Sequence, residues 1–168
     1  MSYQEKRIII SIITGVFILA AYCTYVYGKY QSGAIAADDL KFWAGAMLMF
    51  IGIGIAAIIV IQIVFHILLS VAIAVQEKVK NGEYDDKEIE KTIGVEMITD
   101  EMDKLIELKA MRIGFAVAGI GFVAALVSLI LNYSPAVMIN IMFLSFSAGS
   151  LLEGFTQLYF YRKGVQNG

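Results

Sequence analysis

Residues 113–152 read IGFAVAGIGFVAALVSLILNYSPAVMINIMFLSFSAGSLL, 40 consecutive positions without a charged side chain. A helix crosses the ~30 Å hydrocarbon core of a bilayer with about 20 apolar residues. This block therefore holds two crossings, divided by the turn signal Asn132-Tyr133-Ser134-Pro135. Two further blocks lie upstream. Ile8 to Gly28 is 21 residues without a charge, and Phe42 to Gln76 is 35 residues interrupted only by His66. The pattern predicts four helical spans, at about 8–28, 46–72, 113–131 and 136–160. A transmembrane barrel would show short alternating segments instead.

The whole composition agrees. Of 168 residues, 59% are apolar and 17% charged, against roughly 45–50% and 25% in a soluble domain. This excludes a disordered chain and argues against a water-soluble globule. A net charge of −2 without a basic stripe points away from direct nucleic-acid binding. Cys23 is the single cysteine and His66 the single histidine. An internal disulfide is thereby excluded within one chain, and the counts argue against a Cys/His zinc site or a Cys–His catalytic pair. No phosphate loop or nucleophile–base pair stands in the sequence, so neither catalysis nor a cofactor or metal is expected.

Basic residues set the orientation. Lys6 and Arg7 precede span one, seven basic residues fall between 76 and 112, and Arg162 and Lys163 follow span four, giving 11 on one side against Lys29 and Lys41 on the other. The reading is an all-α, polytopic protein of the cell membrane with both termini cytoplasmic. It divides into a first hairpin (1–75), a cytoplasmic helical segment (76–112) and a second hairpin (113–168). With 21 apolar residues, span one exceeds the h-region of a cleaved signal, about 7–15 residues, and is expected to remain.

The second span is expected to continue to Asn81-Gly82, a helix stop. Residues 85–93 suit one short helix. Thr99 suits an N-cap opening a helix over 100–131, with Asp100 and Lys104 an i, i+4 pair. Residues 77–107 hold 11 of the 15 acidic side chains. These read as a solvated helix face, the alternative being a metal or partner site built on Asp100, Glu101, Asp103 and Glu107, and Met102, Leu105 and Ile106 form an apolar stripe that another copy or a cytoplasmic protein could cover.

Gly114, Ala118, Gly121, Ala125 and Ser128 are spaced 4, 3, 4, 3 along span three. Lipid gives helices no hydrophobic drive to pair, so small residues that allow close approach mark a packing face. That face serves either the protein's own bundle or a homodimer seam. Two ionisable residues stand inside the spans. Gln62, His66 and Ser70 share one face of span two, and Ser150, Glu153 and Gln157 share one of span four. A membrane-embedded carboxylate needs a partner or a proton, and a Glu153–His66 contact is the expected solution, either as a proton or ligand site or as a polar clamp.

The stretch Asp100-Glu101-Met102-Asp103-Lys104-Leu105-Ile106-Glu107-Leu108-Lys109-Ala110, together with Gln157-Leu158-Tyr159-Phe160-Tyr161-Arg162-Lys163-Gly164, resembles a family of small four-helix integral membrane proteins of bacteria and archaea. Its members carry D-E-R-D-x-x-I-x-x-K-A and a tail Q-L-Y-F-Y-R-R-G, and no activity is established for them. Met102 stands where that motif has arginine. The resemblance spans roughly 98–165, implies a four-helix membrane protein and assigns no catalytic residue.

Two functions follow. In one, the chain is a regulatory or accessory membrane protein, expected as a homodimer, that engages a partner through its cytoplasmic helices. In the other, it is a small homo-oligomeric transporter or channel with a Glu153/His66 polar site, and this reading requires a polar cavity open to one side.

Overall fold

A computed structural model describes residues 3–33, 35–36, 38–81 and 101–164. All four elements are helices: α1 (Tyr3–Gln31), α2 (Leu40–Asn81), α3 (Glu101–Ile130) and α4 (Pro135–Lys163). Each is long and apolar enough to cross a membrane. The expected cap at Thr99, the Asp100–Lys104 pair and the short helix over 85–93 lie outside the described residues.

Helix ends follow from local chemistry. Gly33, at φ 67°, takes the chain out of α1 and donates its N–H to Tyr30 O. The Asp39 carboxylate accepts the Phe42 N–H at 3.0 Å and so caps the start of α2. Asn132 closes α3 in the left-handed region, φ 62°. Its N–H reaches Leu129 O, and the Tyr133 N–H reaches Ser128 O. This pair of bonds is a Schellman closure with asparagine in the position glycine usually takes. Ser134 is then extended and Pro135 opens α4, where its missing N–H costs nothing.

α4 is the hub. It packs along most of α3 and also touches α1 and α2, whereas α3 packs chiefly on α4. The buried residues of α3 are Ile106, Ala110, Gly114, Ala118, Gly121, Ala125 and Ser128, so the 4, 3, 4, 3 small-residue row lies within the chain's own hairpin. Gly114 faces Gly149, and Gly121 faces Ser145.

Three contacts set the alignment of the remaining helices. Tyr3 packs against Phe65 with ring centroids 5.3 Å apart and the rings tilted by 30°. Ile12 lies against Gly154, and the Tyr161 hydroxyl donates to Asp103. The starts of α1 and α3 and the end of α4 therefore share one end of the bundle, where Lys6, Arg7, Lys104, Arg162 and Lys163 also lie. We call it the basic end.

At the opposite end Tyr22, 1% exposed, ties three helices together. Its ring sits 4.4 Å from Phe143 and edge-on to Phe50 at 5.5 Å. Its hydroxyl donates to Asn140 Oδ1 at 2.7 Å. Val26, Ala46 and Met47 complete this cluster. The outer faces of all four helices are apolar: Phe17, Leu48, Ile120 and Phe155 are all exposed.

Candidate functional site

Between α1, α2 and α4, with the first turns of α3 beside them, lies a cavity of about 540 Å³. It reaches the basic end at Gln4, Asp103 and Tyr161 and runs up to Ile18, Leu19, Phe50 and Phe143. From Gln4 to Leu19 is about 22 Å of helix at ~1.5 Å per residue. Phe50 and Phe143 belong to the aromatic cluster around Tyr22, so the cavity runs up to that cluster.

The wall is graded. Its basic-end portion carries Arg7, Asp103 and Glu107. Gln62 lies at about the depth of Arg7, and the middle carries Ser11, Ser150, Glu153 and Gln157. Beyond these the lining is almost wholly apolar. Two features hold Glu153 in place. Gln157 donates its Nε2 to Glu153 Oε1 at 3.2 Å. Gly114 leaves room beside it: a Cβ at that position would lie 3.2 Å from Glu153 Oε2. The packing glycine of α3 is thus also what admits the carboxylate of α4.

Glu153, Gln157, Ser150 and Gln62 all line this cavity, as their shared faces anticipate. His66 and Ser70 do not. His66 is exposed, and Ser70 spends its hydroxyl on the His66 carbonyl at 2.9 Å. The expected Glu153–His66 contact is therefore replaced by the Glu153–Gln157 hydrogen bond. The reason is depth. His66 follows Phe65, which is level with Tyr3, while Glu153 adjoins Gly154, which is level with Ile12. Those levels differ by nine residues of α1, about 13 Å at ~1.5 Å per residue.

Of the candidate partner stripe, Ile106 is 3% exposed and turned into the chain's own core. Leu105 is half-buried, and only Met102 stands open. Among the described residues no group of three His, Cys, Asp or Glu side chains is placed to hold a metal ion.

Arg7, Ser11 and Glu107 join the site without having been expected there. In the sequence Arg7 reads as a topological charge and Glu107 as part of a solvated face. A signal is present all the same: Gln4, Arg7 and Ser11 are spaced i, i+3, i+7, one polar stripe at the start of an apolar helix. No family model, no curated protein and no solved structure matches the chain.

Proposed function

We propose that the chain is a multi-pass protein of the cell membrane, with both termini and the acidic middle segment cytoplasmic, that binds a small solute in this cavity as a homo-oligomeric transporter. One observation carries the reading: a cavity of about 540 Å³ with a band of polar side chains reaches the basic end and runs at the other up to the Tyr22 cluster, which we take to close it. The positive-inside bias makes the basic end cytoplasmic, and access from a single side is what one state of an alternating-access protein requires. A four-helix chain offers little wall of its own, which is why a homo-oligomer belongs to the proposal. The likeness to the small four-helix membrane family is part of the same reading.

The accessory-protein reading keeps one supporting feature, the exposed Met102 beside half-buried Leu105. Burial of Ile106 takes away the centre of its docking stripe.

The test is cysteine labelling. In a C23A background, S150C should react with a membrane-impermeant maleimide from the cytoplasmic face of oriented vesicles and stay unlabelled from the other face. No reaction from either face would mean a dry, closed bundle and would remove the transporter reading.

A further inference from the structure

The charges of the cavity are ordered by depth, and that order selects a ligand class. Arg7 precedes Ile12 by five residues of α1, about 8 Å of helix at ~1.5 Å per residue. It therefore lies nearer the basic end than Glu153, which is level with Ile12. Further in than Glu153 the lining has no charged side chain. Of the hydroxyls near that level, the one on Ser147 is committed to Phe143 O at 2.8 Å. The deepest charge a ligand meets is thus a carboxylate, and past Ser150 and Ser147, about two to three helical turns further in, stand Leu19, Phe50, Phe143 and Phe146. Around the cavity three carboxylates, Asp103, Glu107 and Glu153, stand against one guanidinium, Arg7.

We infer that the cavity takes an amphipathic organic monocation, its positive centre beside Glu153 and its apolar body against the phenylalanines beyond. This rests on the cavity being a binding site, as proposed above. An anion would have to pass Glu107 and place its charge against half-buried Glu153, where like-charge contact is screened less than in open water. A neutral sugar would leave the upper wall facing hydroxyls without partners. A cation with an apolar body satisfies both halves of the wall. The volume falls within the range of small-molecule pockets, about 300–1,000 Å³.

Two ions of one shape and opposite charge separate the possibilities: tetraphenylphosphonium and tetraphenylborate, each titrated against the full chain in nanodiscs of neutral phosphatidylcholine. Tetraphenylphosphonium should bind saturably and protect S150C, in the C23A background, from the maleimide. E153Q should weaken it by about 30-fold or more, and E153D should restore part of the loss. Adding stearylamine, a membrane amine without a phosphate, to the nanodisc distinguishes the sources of the ammonium group: competition identifies a lipid amine, and its absence a soluble cation. Saturable protection by tetraphenylborate, or unchanged tetraphenylphosphonium affinity in folded E153Q, would overturn the inference. If S150C labels freely and neither ion protects it, the ligand class is wrong and the open cavity survives. If S150C does not label at all, the cavity reading itself has failed.

Discussion

Gly114 and Gly149 bring the backbones of α3 and α4 into direct contact. A Cβ built on Gly149 would lie 2.6 Å from the Gly114 carbonyl oxygen, and one on Gly114 would lie 3.0 Å from the Gly149 oxygen. Neither obstacle is a flexible side chain, so a methyl group here forces the helices apart. In the membrane setting proposed above, lipid supplies no hydrophobic drive and close van der Waals approach of the two backbones holds the pair together, so separation weakens it directly.

G149A should therefore destabilise the protein by about 1–3 kcal/mol, the usual cost of overpacking. G121A should do so as well, because its Cβ would overlap the Ser145 side chain. G119A is the control: nothing lies within 4 Å of its added methyl. Reversible unfolding in mixed micelles should show G119A at or above the stability of the parent and the other two below it. Equal losses in all three would mean that helix separation is not what the small-residue row controls.

Tyr22 supports a second prediction. Y22F removes the hydroxyl that donates to Asn140, while Asn140 still donates to Ala136 O at 2.8 Å. Hydrogen bonds between helices in membranes average about 0.6 kcal/mol, so Y22F should cost about that much. Y22A also removes a fully buried ring and should cost about 3–5 kcal/mol. The larger loss should appear in function too. With the far end of the cavity no longer plugged, S150C in the Y22A background should label from both faces of the membrane. One-sided labelling in a folded Y22A variant would show that another group closes that end.

Much of this arrangement is legible in the residues. Charge-free runs locate the four helices because each run is long and apolar enough for a helix to span a hydrocarbon core. Asn132 to Pro135 mark the α3–α4 turn, and the row from Gly114 to Ser128 marks the face that α3 turns to α4. Polar spacing along α4 and α2 identifies Glu153, Gln157, Ser150 and Gln62. What one strand of sequence does not supply is the offset between helices. Counting from the nearest flanking charge puts Glu153 and His66 at one depth. The contacts that set depth are Tyr3 with Phe65 and Ile12 with Gly154, and these depend on which small residue meets which bulky one. Arg7 is hidden for a related reason: a charge at a helix start reads as a topology signal until a cavity is found beside it.

His66 gives the third prediction. It lies outside the cavity wall and about 13 Å of helix from the level of Glu153, at ~1.5 Å per residue. H66A should leave tetraphenylphosphonium affinity within about twofold of the parent, the scatter expected for distant, independent sites. Q62A removes a side chain that lines the cavity and should weaken binding more. An H66A loss as large as that of E153Q would restore a shared Glu153–His66 site.

The last prediction concerns the sign of an effect rather than its size. Arg7 lines the cavity about 8 Å of helix nearer the basic end than Glu153, at ~1.5 Å per residue, so its charge opposes an entering cation. R7Q should tighten tetraphenylphosphonium binding. Two unit charges about 8 Å apart in a water-like dielectric repel by about 0.5 kcal/mol, or about twofold in affinity, and more where the wall excludes water. Because Arg7 is exposed, salt should screen the repulsion: the Debye length is about 10 Å at 0.1 M and about 3 Å at 1 M. The gain from R7Q should be clear at low ionic strength and vanish at about 1 M salt, whereas the E153Q loss should persist because the half-buried carboxylate is screened less. Weaker tetraphenylphosphonium binding in R7Q at every salt concentration would show that the guanidinium supports the cation's site, by shaping the wall or by stacking on the ligand's rings, and would overturn the repulsion assigned to Arg7.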